Sequence, residues 1–79
     1  MGRAFRGRQM ELTSLDEAIL KELEKGARTQ GFLVDATDAP RYKVHERLKL
    51  LTAAGYIENI HKNTALYELR RHPPESMDS

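Results

Sequence analysis

The period of the hydrophobic pattern changes at Gly55, and this limits the possible folds more than any other feature of the chain. Before Gly55, Leu15, Ile19 and Leu23 recur every four residues. Val44, Leu48 and Leu51 likewise fall within about 60° of arc on a helix of 3.6 residues per turn. After Gly55, Tyr56-Ile57-Glu58-Asn59-Ile60 and Ala65-Leu66-Tyr67-Glu68-Leu69 are rich in β-branched and aromatic residues and alternate as strands do. Helices first and a strand pair last is an α+β order. With 79 residues there is room for one small core only.

The helix boundaries carry their own signals. Within Thr13-Ser14-Leu15-Asp16-Glu17, Ser14 and Glu17 have the spacing of a capping box, and Asp16 and Glu17 suit the positive end of the helix dipole. This helix is expected to end near Lys25, before Gly26. Thr29 then caps a short helix that presents Phe32, Leu33 and Ala36, although Gly31, Val34 and Thr37 lower its propensity. Asp38-Ala39-Pro40 breaks the chain, and a third helix is expected from Pro40 to about Ala54, with Pro40 at its first position. Ala65, Tyr67 and Leu69 share one strand face, with Ile57 beneath the helices. His61-Lys62-Asn63-Thr64 suits a hairpin turn, and Pro73-Pro74 ends the second strand. The expected organisation is a flexible basic arm over residues 1–11, a folded domain over 12–71 and a disordered tail over 72–79.

The net charge of +1 conceals a division along the chain. Residues 1–10 carry +3 from Arg3, Arg6 and Arg8. Residues 11–39 carry −4, and residues 40–71 carry +4, with Arg41, Lys43, Arg47, Lys49, Lys62, Arg70 and Arg71 outnumbering Glu46, Glu58 and Glu68. An acidic first half followed by a basic second half points to a polyanionic partner facing residues 40–71. The exposed side of the third helix would be mostly cationic and hydrogen-bonding. The competing reading of that side is an ordinary solvated helix face.

Helix, short helix, turn, basic helix and hairpin is the order of a helix-turn-helix followed by a β-wing. The chain resembles the winged helix-turn-helix transcription regulators of archaea and bacteria, small archaeal and haloarchaeal members above all. The resemblance covers roughly Thr13 to Arg71. It rests on Leu15-Asp16-x-x-Ile19-Leu20-x-x-Leu23, on Val44-x-x-Arg47-Leu48-x-x-Leu51-x-x-x-Gly55-Tyr56-Ile57-Glu58, and on Ala65-Leu66-Tyr67-Glu68-Leu69. Relatives often have Ser-Arg before the third helix. Here Pro40-Arg41 stands there, which removes one possible phosphate donor.

A fold of this kind places its third helix in the major groove of double-stranded DNA, where base edges present a readable pattern of donors and acceptors. Arg41, Tyr42, Lys43, His45 and Glu46 are then the expected base contacts: Arg41 suits guanine, Glu46 accepts from cytosine N4, and Tyr42 packs on a thymine methyl or bonds to a phosphate. For Tyr42 the alternative is packing against the second helix. Thr29, Gln30, Arg47, Lys49, Lys62 and Asn63 are the expected backbone contacts, the first two through N–H groups at a helix N-terminus. Arg3, Arg6 and Arg8 are expected to reach into the minor groove as an arm, the alternative being a solvated, non-specific segment.

The implied function is sequence-specific DNA binding by a transcription regulator, expected to be a repressor. It would act as a homodimer in the cytoplasm at the nucleoid, with Leu12, Leu15, Leu20 and Tyr56 as a candidate dimer face. No cofactor, metal or small-molecule ligand is expected. His45, His61 and His72 lack the spacing of a zinc site, and the absence of Cys removes thiol nucleophiles and Cys-based fingers. No nucleophile–base constellation and no Gly-rich phosphate loop are present, and the carboxylates are expected on an exposed helix face, so an enzyme is not expected. No apolar run exceeds three residues, which excludes a membrane-spanning helix, and the N-terminal arginines are not followed by the apolar stretch of a secretory signal. The rival reading is a winged helix used for protein docking inside a larger assembly, which would show apolar residues on the third helix.

Overall fold

A computed structural model describes residues 11–61 and 63–73. Among these residues are three helices and a three-stranded antiparallel sheet. In chain order they are α1 (Ser14–Glu24), β1 (Arg28–Thr29), α2 (Gln30–Thr37), α3 (Arg41–Ala53), β2 (Ile57–His61) and β3 (Leu66–Leu69). The expected arm with Arg3, Arg6 and Arg8, the residues from 74 onward, and Lys62 lie outside the described residues. Among the described residues no helix is long and apolar enough to cross a membrane.

The α1 cap is shifted by one residue from the expected position. Thr13, not Ser14, is the N-cap, in extended conformation; its side chain accepts from the Asp16 N–H at 3.1 Å, and the Asp16 carboxylate accepts from the Thr13 N–H at 2.9 Å. The shift places Asp16 on the same side of α1 as Ile19, Leu20 and Leu23, and all four are buried. The expectation that the carboxylates lie on an exposed face therefore fails at Asp16, which is 0% exposed.

Thr29 caps α2 as its sequence indicates, accepting from the Phe32 N–H at 3.1 Å. However, α2 buries only Leu33 fully, leaving Ala36 and Phe32 exposed. The Phe32 ring instead carries the Arg28 guanidinium, whose carbon lies 4.8 Å from the ring centroid. Asp38 ends the helix in the left-handed region, φ 57°, a conformation that Asp adopts more readily than most residues. Pro40 is the N-cap of α3 rather than its first helical residue, so the helix starts one residue later than expected, and the Pro40 carbonyl accepts from the N–H groups of both Lys43 and Val44.

The stripe of α3 is buried as its spacing requires: Val44, Leu48 and Leu51 are each 0% exposed. At its end, the Gly55 N–H donates to the Thr52 carbonyl and the Tyr56 N–H to the Leu51 carbonyl, with Gly55 at φ +85°. This paired bonding is a Schellman motif, and it brings Tyr56 into the core beside Leu51. The period change at Gly55 is thus a helix stop that turns the chain directly into β2.

The sheet has one strand more than the alternation indicates. β1 pairs antiparallel with β3 (Arg28 opposite Tyr67), and β3 pairs antiparallel with β2, giving the order β1-β3-β2. Between Asn59 and His61 the register with β3 slips, and Ile60 is left exposed there. Ile57 and Tyr67 are buried on the sheet face that meets Ile19, Leu20, Leu23, Leu33 and the α3 stripe. Each fully buried aliphatic side chain in that cluster contributes about 1.5–3 kcal/mol relative to exposure.

Leu20 and Tyr56 belong to this core, at 5% and 3% exposure, and Leu12 and Leu15 pack against it. Leu20 and Tyr56 are therefore not available as part of the dimer face expected from sequence, while Leu12 and Leu15 stay partly exposed. A chain this short needs those apolar residues for its own interior.

Candidate nucleic-acid interface

The described part of residues 40–71 carries its cations in two different settings, and the difference follows from position on the elements. Arg47 lies within the apolar side of α3, one turn after Val44 and one before Leu51. It reaches across to α1, where its Nε donates to Asp16 Oδ1 at 2.8 Å and its Nη2 to Asp16 Oδ2 at 2.7 Å. The hydrogen bonding of Arg47 to the Asp16 carboxylate dominates in raising the Arg47 pKa, against the opposing effect of burial, and the negative charges of Asp16 and Glu46 add to it. Such a two-pronged charged pair is both strong and directional. Arg47, expected on phosphate, is instead an internal residue that fastens α3 to α1.

Arg70 and Arg71 are engaged as well. Glu58 and Glu68 stand directly opposite one another on β2 and β3, a repulsive pairing, and Arg70 lies 3.3 Å from the first carboxylate and 3.6 Å from the second. Arg71 stacks on Tyr56, 5.1 Å from the ring centroid. Much of the positive charge counted along the second half therefore serves the fold.

The remaining cations collect on α3. Arg41, Tyr42, Lys43, His45, Glu46 and Lys49 are all exposed, and Tyr42 is 70% exposed. Packing of Tyr42 against α2 is thereby excluded. Among the described residues, Arg41, Lys43 and Lys49 have no carboxylate within ion-pair distance, whereas Arg47 and Arg70 do. Helical spacing sets Tyr42, Glu46, Lys49 and Ala53 in one row, with Lys43 and Leu50 on one flank and His45 on the other. The face is polar and cationic over its first two turns, with a single carboxylate at its centre.

The N-terminus of α2 is less available than its sequence implied. The Gln30 N–H donates to the Ala65 carbonyl at 3.1 Å, and the Phe32 N–H donates to the Thr29 side chain. Both donors are used inside the fold because β1 leads straight into α2 and pairs with β3. Asn63 is exposed, in the connection between β2 and β3.

The α1–α3 clasp was missed in the sequence, although it left a signal there. Asp16 and Arg47 each sit among apolar residues at helical spacing, and a charge in such a place requires a partner of opposite sign. Among the described residues no three His, Asp or Glu side chains are close enough together to hold a metal ion. Compared with protein-family models, curated proteins and solved structures, the chain matches none.

Proposed function

We propose that this chain is a winged helix-turn-helix domain that binds double-stranded DNA through α3 and acts as a transcription regulator. One observation carries the reading. Arg41, Lys43 and Lys49 of α3 are all exposed and tied to no carboxylate among the described residues, whereas Arg47 and Arg70 are paired and Arg71 stacks on Tyr56. A helix of this diameter fits the major groove, and its N-terminal half meets base edges there. α2 and α3 form the helix-turn-helix, and β2 and β3 with the connection between them form the wing. Arg41, Tyr42, Lys43 and His45 face the bases in this arrangement, and Lys49, Lys62 and Asn63 face phosphates.

A protein-docking role would need a continuous apolar patch on α3. Tyr42 and Leu50 are its large exposed apolar residues, but they stand two turns apart, Tyr42 in the Glu46 row and Leu50 on its flank, so they form no such patch. The test is a titration of isotope-labelled protein with a mixed-sequence duplex, followed residue by residue by NMR. Shifts concentrated on Arg41 to Lys49 support the reading. Shifts confined to α1, or none, contradict it.

A further inference from the structure

Glu46 is the one carboxylate on a face otherwise made of cations, a tyrosine and a histidine. It is exposed, with Lys43 three residues before it and Lys49 three after, and neither approaches it within ion-pair distance. Its immediate neighbour Arg47 is turned the other way and held on Asp16 by two hydrogen bonds. Among the described residues the Glu46 carboxylate therefore has no ion-pair partner, at the centre of the surface assigned to DNA.

A carboxylate only accepts hydrogen bonds, and phosphate oxygens are anionic acceptors, so Glu46 opposes any docking in which the middle of α3 lies along the phosphate backbone. The opposition is relieved where an amino group points at it. In the major groove the amino groups are cytosine N4 and adenine N6. Adenine sets its N7 acceptor beside that amino group, where it would confront the second carboxylate oxygen. Cytosine offers a donor with no acceptor on its own edge, the nearest being O6 of the paired guanine, whereas adenine N6 lies between N7 and thymine O4. Resting on the DNA-binding reading above, we propose that Glu46 is the specificity-determining residue of this face: it selects a cytosine at one position of the site and weakens binding to every sequence that lacks it there.

The test compares the wild-type chain with Glu46→Gln, an isosteric change at an exposed position, by selecting bound duplexes from a randomised pool and by measuring affinity for a mixed-sequence duplex. A glutamine pairs with adenine through N6 and N7. The wild type should enrich a cytosine at one position. The variant should lose about tenfold in that preference, shift toward adenine there, and bind the mixed duplex several-fold more tightly. Identical selected sequences for the two proteins would overturn the role of Glu46. So would a wild type that binds the mixed duplex but enriches nothing, and that result leaves DNA binding itself intact. A wild type that binds no duplex at all overturns both readings.

Discussion

Asp16 and Arg47, 31 residues apart, are joined by two hydrogen bonds of 2.8 and 2.7 Å that tie the first turn of α1 to the middle of α3. The same Asp16 carboxylate accepts from the Thr13 N–H, so one side chain both starts α1 and anchors α3. Removing Arg47 strands the wholly buried Asp16 carboxylate, at a cost of about 3–5 kcal/mol. A core of this size supplies only about that much. Arg47→Ala should therefore be largely unfolded by circular dichroism at room temperature. The double variant Asp16→Leu, Arg47→Met, which removes both charges, should recover a cooperative thermal transition. A stable Arg47→Ala protein would show that the pair is dispensable.

The pair also has a pH signature. The hydrogen bond to Asp16 raises the Arg47 pKa. A group whose folded pKa lies above its unfolded value contributes stability that is complete below the unfolded value and is lost as pH rises through the folded one. For arginine that window lies in strong alkali. Lysine, with an ordinary pKa of about 10.4, brings the loss within reach of measurement. Arg47→Lys should be less stable than wild type at neutral pH, and the gap should widen above about pH 10. Urea unfolding at the two pH values measures this, and a constant gap would contradict it.

The one-residue shift of the α1 cap separates two neighbouring hydroxyls. Thr13→Ala should destabilise by about 1 kcal/mol, the usual cost of a lost N-cap. Ser14→Ala, at an exposed position inside the helix, should change stability by less than about 0.5 kcal/mol. Thermal denaturation of the two variants checks the order, and equal effects would return the cap to Ser14.

On α3, Leu48 and Leu50 have the same side chain in opposite settings, at 0% and 42% exposure. Leu48→Ala should cost about 2–5 kcal/mol through lost burial and the cavity left behind. Leu50→Ala should cost far less. Comparable losses would mean that Leu50 is covered by a partner in solution, as the protein-docking reading requires.

The long periodic segments were legible in the sequence: Ile19 and Leu23, Val44, Leu48 and Leu51, and the stop at Gly55 all stand where their spacing puts them. β1 was not legible, because Arg28 and Thr29 are too few to show any period and become a strand only by pairing with Tyr67 and Leu66. The exposed residues of α3 followed from the wheel that buried Val44. Arg47 did not, since its place depends on an aspartate from another helix. Leu20 and Tyr56, read as a dimer face, were claimed by a core that a short chain cannot leave incomplete.

The central claim is that the face of α3 binds duplex DNA. It is tested most directly by fluorescence anisotropy with a mixed-sequence duplex of about 30 base pairs, at about 50 mM and about 200 mM salt, the range over which phosphate-dominated binding collapses. Micromolar binding is expected at the lower salt, with a steep loss at the higher. Lys62→Ala should lower the salt slope by about one, while Arg41→Ala should cost about 1–3 kcal/mol at a selected site and relax one base position. No binding even at the lower salt would contradict the claim.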